Sequence, residues 1–271
     1  AKRRSQKSNV RTRQLPGVSP LVFSRFLLEK TAFLSLSDMG KALPSYEEIP
    51  IACEMDEAVE TEYKRIENAL VRVLRSDRRA AQKILSAYLN LLTVYPDQPY
   101  DQKPILYPDS DIPIVKPESI GDADCLGEKE LRTLEIVKAA IQNGERALIY
   151  TSWVRTDSQQ KLKKLLADEG YRTEILTDKI KTTDREDWVQ KKLAAGMQVL
   201  IVNPSLVETG LDLNAFTTLV FYSMGYKLFT LRQASRRSWR INQKAPAVKV
   251  YMLYYEDTMQ QKCLKLMASK L

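Results

Sequence analysis

The sequence predicts an α/β fold, a parallel sheet flanked by helices and preceded by a mostly helical region. Three observations lead there. After Glu128, short Val/Ile/Leu runs alternate with amphipathic segments, the rhythm of strands whose two faces are covered by crossover helices. Gly144, Gly170 and Gly196 stand where three of those amphipathic segments stop, as glycines do at helix C-termini. Between them and the N-terminal half lie six prolines in 22 residues, from Pro96 to Pro117. No helix survives that density, and only edge strands tolerate it.

Taken in order, the first 13 residues carry Lys2, Arg3, Arg4, Lys7, Arg11 and Arg13 without an acid. They read as a disordered basic arm or as the trailing edge of a neighbouring domain. Leu21 to Leu36 is apolar and short-periodic, and Pro44 and Pro50 bracket an acidic extended piece. A helix is expected over Met55 to Leu74, with Val59, Tyr63, Ile66, Leu70, Val73 and Leu74 on one stripe and Asp56 and Glu57 in its first turn. Ser76 or Asp77 caps a second helix running to about Leu92, with Ile84, Leu85, Tyr88, Leu89 and Leu92 inward. The pair reads as a protruding helical hairpin.

Beyond Glu128 the expected order is a helix at Glu130–Asn143, a strand at Ala147–Thr151 and a helix at Ser158–Glu169. A strand at 172–177, a helix at Asp184–Ala195 and strands at Gln198–Asn203 and Thr217–Tyr222 follow. An arginine-rich helix, a strand at Ala247–Leu253 and a last helix close the chain. The division is therefore a basic arm and connecting segment (1–50), a helical hairpin (51–95), a proline-rich linker or strap (96–127) and the α/β domain (128–271).

Composition removes several function classes. An apolar fraction of 44% and a charged fraction of 28% are those of a soluble globular protein. No apolar run approaches the roughly 18 residues a bilayer span needs and no signal peptide is present, so a cytoplasmic protein with no membrane partner is expected. The chain begins at Ala1 rather than Met and reads as a piece of something longer. Cys53, Cys125 and Cys263 are odd in number and far apart, which suggests reduced, packed thiols. There is no histidine, which excludes His-based triads, His general bases and His metal ligands. The net charge of +8 and pI near 9.2 point to a polyanionic partner at the level of steering.

The most informative stretch is QASRRSWRINQ, Gln233 to Gln243. It lies in a window, Leu213 to Tyr255, with no Asp or Glu but with Lys227, Arg232, Arg236, Arg237, Arg240, Lys244 and Lys249. On a helix, Gln233, Arg237, Arg240 and Lys244 would share one face. Two arginines beside a glutamine make a fork for a polyphosphate, because guanidinium binds phosphate oxygens bidentately and stays charged. A solvated basic helix, the plain alternative, would normally interleave Glu for i,i+4 pairing.

Ligands of such a sheet bind beyond the carboxyl ends of its strands. Thr151-Ser152-Trp153, the loop Asn203 to Leu213 and the run into Gln233 sit there. In that loop Thr209 and Gly210 could hold a phosphate or sugar, and Asp212 could orient an arginine or a ribose hydroxyl; an ordinary turn has the same text. A glycine-rich phosphate loop ending in Lys and Ser/Thr is not found, since Gly121 to Lys129 has the wrong spacing. Asp56-Glu57 after Ile49–Cys53 imitates a Mg-binding acidic motif but is better explained as helix-start acids.

ALIYTSW, NPSLVETGLDL and QASRRSWRINQ, in that order and spacing, resemble motifs four, five and six of superfamily two helicases. Gln-Ala-x-x-Arg-x-x-Arg-x-x-Gln resembles the Swi/Snf-related branch of DNA translocases. The resemblance covers Glu128 to Leu271. It is looser over 15–95, where Leu15 to Phe23 and the helical pair look like the lobe-joining insertion of a bacterial or phage member.

The resemblance implies a second RecA-like lobe in which Arg237 and Arg240 reach the γ-phosphate and Gln233 orients their helix. Gly210 and Asp212 would lie near the nucleotide, and Thr209, Ser152 and Trp153 would face the nucleic-acid backbone. It implies ATP and Mg2+ held mainly by an N-terminal RecA-like lobe of the same polypeptide, DNA as partner, and nucleoid association in a bacterium. Asn242, Trp239 and Val207-Glu208 depart from the family pattern; the first two leave the arginine spacing intact. Two other readings stand beside it, a non-catalytic nucleic-acid-binding or partner-docking lobe and a different nucleotide-binding enzyme such as a methyltransferase.

Overall fold

A computed structural model of the chain describes residues 18–32, 43–152, 158–207, 211–223, 225, 233–241 and 243–268. The chain divides into two units, Ala1–Lys41 and Ala42–Leu271. In the first, Pro20–Val22, Phe23–Leu27 and Leu28–Lys30 are abutting helical turns, with Pro20 in the first turn, where its missing N–H is not needed.

The second unit begins with β1 (Ser45–Cys53) and the helices α1 (Glu57–Ser76) and α2 (Arg78–Val94). The short strands β2 (Ile105–Leu106) and β3 (Pro113–Val115) follow. Next come α3 (Glu128–Gln142), β4 (Ala147–Tyr150), α4 (Ser158–Asp168), β5 (Thr173–Leu176), α5 (Arg185–Ala194) and β6 (Val199–Val202). The chain ends with β7 (Thr218–Phe221), β8 (Ala247–Tyr255) and α6 (Met259–Ala268). Among the described residues no helix is long and apolar enough to cross a membrane.

Six strands form one sheet in the order β1-β8-β7-β4-β6-β5, and every neighbouring pair is parallel. This is the expected RecA-like sheet with helices on its faces. The apolar runs explain it: all residues of β4, β6 and β7 are buried, and they alternate between two cores. Leu148, Tyr150, Leu200, Val202, Leu219 and Phe221 join Val189 of α5 on one side. Ala147, Ile149, Val199, Ile201 and Val220 join Val137 of α3 and Leu162 and Leu166 of α4 on the other. Each such side chain contributes about 1.5–3 kcal/mol when fully buried, so a one-residue slip, which inverts both sets, is excluded. The helix ends read from Gly144 and Gly170 have a backbone cause, since both glycines sit at positive φ (+75° and +85°).

Two expectations need correction. The sheet is not confined to residues after 128. Ser45–Cys53, expected in the connecting segment, pairs with β8 along nine residues, from Ser45↔Ala247 to Cys53↔Tyr255. Its exposed–buried text (eieeieieB in burial order) is that of an edge strand, and Pro50 is tolerated there because an edge has a free N–H side.

Nor does the hairpin protrude. Tyr63, Ile66, Leu70, Val73, Ile84, Tyr88 and Leu92 form its own core, while Leu74 and Leu85, expected inward, are exposed. The hairpin is tied to α6: Tyr63 Oη accepts from Met259 N (2.8 Å), and Gln260 Nε2 donates to the Thr93 carbonyl (2.9 Å). Asp77 is the cap of α2, accepting from the amides of Arg79 and Ala80 (3.0 and 2.9 Å).

The proline-rich segment is a strap across this hairpin. Buried Glu62 on α1 pairs with Arg65 and accepts the Glu118 amide (2.8 Å), Arg65 donates to the Lys116 carbonyl and Tyr95 Oη to that of Glu118. Burial pushes the Glu62 carboxyl up, but Arg65 and the Glu118 amide outweigh it and hold the group below its ordinary value. Of the three free thiols Cys53 and Cys263 are buried as expected; Cys125 is exposed.

Candidate functional site

All strands of a parallel sheet end on one edge, and here the carboxyl ends of β4, β6 and β7 are laced together. Ser152, just past β4, donates its N–H to Ser223 Oγ (2.7 Å) and its hydroxyl to the Ser223 carbonyl (2.9 Å). Asn203, past β6, donates Nδ2 to the Ser152 carbonyl (3.1 Å) and accepts from the Ser205 amide and hydroxyl. Gln159 of α4 donates to Thr151 Oγ1 (2.7 Å). Ser152, a predicted backbone contact, is thus half-buried and its hydroxyl proton is engaged within the lobe.

The arginine segment sits against this edge, in a form different from the expected continuous helix. Its described part is a single helical turn over Gln233–Ser235, followed by turns at Arg236–Ser238. The Arg237 amide donates to the Ala234 carbonyl and the Gln243 amide to that of Arg240, both i→i−3 bonds (3.1 and 3.0 Å). Helical register therefore does not place Arg240 and Lys244 on one face with Gln233. Side chains fix the geometry instead.

Four anchors do this. Tyr150, the last residue of β4 and fully buried, donates to the Ala234 carbonyl (2.9 Å) and stacks on Phe221 at 4.8 Å. The Tyr46 hydroxyl of β1 lies 3.0 Å from both Ser235 Oγ and Glu48 Oε1. Trp239 donates Nε1–H to the Pro44 carbonyl (2.8 Å) and its ring meets Tyr46 at 4.9 Å. Ser238 Oγ donates to the Leu213 carbonyl (3.1 Å). Burial pushes the Tyr46 phenol up to about 12 and the Tyr150 phenol higher still, the latter partly offset by the Arg237 guanidinium beside it. Both hydroxyls are protonated at any working pH.

Asp212 connects to the turn indirectly. Its amide donates to Glu186 Oε2 (2.9 Å), and its carboxylate accepts from Asn214 N and Nδ2 (3.1 and 3.2 Å). Gln243 Nε2 then bridges the carbonyls of Asn214 and Ser238, 2.9 Å each. Gln233, Arg237 and Arg240 are half-buried, whereas Arg236 and Lys244 are exposed. The structure brings Gln233, Arg237, Arg240, Asp212 and Ser152 to one edge; Trp153, Thr209 and Gly210 lie outside the described residues.

Sequence reasoning missed the anchors. Tyr150 and Trp239 were visible within the motifs, but nothing marked their hydrogen bonds, and Tyr46 lies 189 residues from Ser235.

The model of the helicase conserved C-terminal domain matches residues 129–242, the interval that spans this edge and the arginine turn. This part of the chain is a helicase C-terminal domain. The same architecture recurs in solved structures. The C-terminal part of the Fun30 ATPase domain is similar with a TM-score of 0.62 at 15% identity, covering 83% of this chain and 90% of that one. The C-terminal domain of the Sulfolobus solfataricus SWI2/SNF2 ATPase gives 0.59 at 18%, covering 83% and 86%. The core of the Sulfolobus solfataricus enzyme in complex with dsDNA gives 0.58 at 20%, covering 83% of this chain and 44% of that chain. At such identities the likeness shows the fold, that of a Swi2/Snf2 C-terminal lobe. No curated protein sequence matches the chain. The helicase C-terminal domain thus spans less than half of a two-lobe ATPase core. Among its described residues no group of three His, Cys, Asp or Glu side chains could hold a metal ion.

Proposed function

We propose that the chain is the second lobe of a Swi/Snf-related, ATP-driven DNA translocase, and that Arg237 and Arg240 are its arginine fingers. The observation carrying this is the arginine turn, anchored by Tyr150, Tyr46, Trp239 and Ser238 at the carboxyl edge of the sheet. Cations held rigidly by a buried frame need no reorganisation when charge develops on a transferred phosphoryl group, the condition under which such groups are worth most. Arginine fingers supply about 10³–10⁵ in rate.

In this reading ATP is bound across a cleft, with the phosphates and Mg2+ held mainly by an N-terminal lobe of the same polypeptide. Gln233 steadies the turn, and Asp212, with Gly210, links the nucleotide side to the fingers through Asn214 and Gln243. Thr209, Ser152 and Trp153 face the DNA backbone, where binding is largely sequence-independent and falls with salt. The net charge of +8 favours that partner. By itself the chain is expected not to hydrolyse ATP.

The test is DNA-stimulated ATP turnover by this chain alone, by the other lobe alone, and by the two-lobe protein. Turnover is expected only from the last. Arg237→Ala or Arg240→Ala there should lower it by about 10³–10⁵ while DNA binding persists; unchanged turnover refutes the finger assignment.

A further inference from the structure

At the start of α3 two successive charged residues point inward. Lys129 is 0% and Glu130 2% exposed, positions such side chains occupy only when paired. Lys129 Nζ lies 2.6 Å from Asp97 Oδ1 and 3.1 Å from Gln260 Oε1, above the rings of Tyr222 and Tyr255. Glu130 Oε1 is 2.7 Å from Lys161 Nζ and accepts from Tyr222 Oη (2.9 Å), while Oε2 accepts from the Gly127 amide (3.1 Å). One atom of this network is left over: Asp97 Oδ2, buried and without a hydrogen-bond partner. The Asp97 side chain is 1% exposed, and an unmatched acceptor at that depth is costly.

Asp97 lines a cavity of about 180 Å³. That is more than ten times the roughly 10–15 Å³ one water needs, yet below the roughly 300–1,000 Å³ of pockets for drug-sized ligands. Met55, Val59, Pro99, Tyr100, Ile120 and Leu126 give it an apolar wall. Glu54, Asp56, Asp97, Asp122, Glu128 and Glu130 line it too, with Lys161 the one cation among the lining residues. Counting Lys129 and Arg132, which pair with Asp97 and Glu128 from behind, three carboxylates remain in excess. Glu54 and Asp56 are exposed. Asp122 at the rim accepts the amides of Asp124 and Cys125, which hold its carboxyl below the usual range.

We propose that this cavity binds the ammonium head of an aliphatic amine, with Asp97 Oδ2 as its innermost acceptor and the apolar wall around its methylenes. An ammonium is a point charge that one oxygen can receive, whereas guanidinium presents a planar fork that wants two. Its alkyl stem buries well against aliphatic and aromatic side chains. A metal ion fits less well, since no three acidic or thiol side chains among the described residues are disposed to ligate one. Burial pushes the Asp97 carboxyl above its ordinary range, and Lys129 offsets this in part; a cation arriving at Oδ2 would hold it ionised.

Calorimetric titration of the full 271-residue chain with n-butylamine, putrescine, Nα-acetyl-lysine methylamide and the neutral isostere 1-pentanol tests this. The amines are expected to bind one per chain, about tenfold or more tighter than 1-pentanol. Tighter binding of putrescine than of the lysine derivative assigns a free diamine, and the reverse assigns a protein lysine. Asp97→Asn should weaken the amines about tenfold. Leu126→Trp, at an exposed rim position, should block them without disturbing the buried network, and it serves should the Asp97 variant fail to fold. Equal binding of 1-pentanol, absence of saturable heat from every amine, or unchanged affinity in Leu126→Trp would overturn the proposal.

Discussion

Tyr150→Phe isolates one bond that holds the arginine turn. The substitution removes a hydroxyl and no carbon, so the ring keeps its place against Phe221 and no cavity forms. The lost bond is the donation from Tyr150 Oη to the Ala234 carbonyl at 2.9 Å. A buried acceptor stripped of its only partner costs about 1–3 kcal/mol. This carbonyl is not stripped, because the Arg237 amide also donates to it at 3.1 Å and a carbonyl has two lone pairs. The expected loss therefore sits at the lower end, about 1 kcal/mol. With a urea slope of about 3 kcal/mol/M, the midpoint should fall by about 0.3 M at unchanged slope. Tyr150→Ala, which also empties a buried ring site, should cost about 3–5 kcal/mol. Because burial keeps the phenol protonated, the difference between Tyr150 and Phe should not vary between pH 5 and pH 9, taken as a working range around neutrality. Equal losses for Phe and Ala, or no loss for Phe, would refute the shared-acceptor reasoning.

Glu62 carries a pH signature. Its carboxyl is held below the ordinary value, so its contribution is present above the unfolded pKa of about 4.3 and disappears as pH falls through the folded value; Glu62→Gln should flatten the acid limb of a stability–pH profile. Lys129→Met should cost about 3–5 kcal/mol by stranding Asp97, and Lys129→Met with Asp97→Leu should recover much of it, as measured by urea melts; additive losses would refute the pairing. Only one thiol should react quickly with a disulfide reagent in the native protein: Cys125 is exposed, whereas Cys53 is buried with its thiol pushed up to about 12 and Cys263 is buried. Mass mapping of the labelled peptide checks this.

The parallel sheet was legible because its signal is local. Runs such as ALIY, VLIV and TLVF can only be strands buried on both faces, and the glycine stops marked where helices end. The site was legible as composition, arginines without acids, but not as geometry. Period 3.6 predicted one helical face for Gln233, Arg237, Arg240 and Lys244. The chain instead leaves the helix after Ser235, because Tyr150, Ser238 and Trp239 offer the backbone and side chains long-range partners that outweigh helical propensity. The edge strand β1 was missed for the same reason. Its text is half polar, and its identity comes from pairing with residues two hundred positions away. Lys129 and Glu130 read as surface charges at a helix start; only their partners in distant elements make them interior.

The arginine turn and the segment ahead of the lobe are mechanically one object. Trp239 hangs from the Pro44 carbonyl and Ser235 from Tyr46, and both anchors lie in or beside β1, whose last residue, Cys53, is four positions before α1 begins. The hairpin that follows is itself fastened to α6 through Tyr63, Thr93 and Glu67, and α6 follows directly from β8, the partner of β1. A displacement of the hairpin therefore reaches the turn by two routes, along β1 from one end and through α6 and β8 from the side. Packed elements of this kind shift between discrete arrangements rather than deforming smoothly. On the proposed reading the connecting segment precedes the lobe in sequence but carries its catalytic edge in space. A change in how the two lobes close would then reach Arg237 through Tyr46 and Trp239 as well as through contacts made at the cleft.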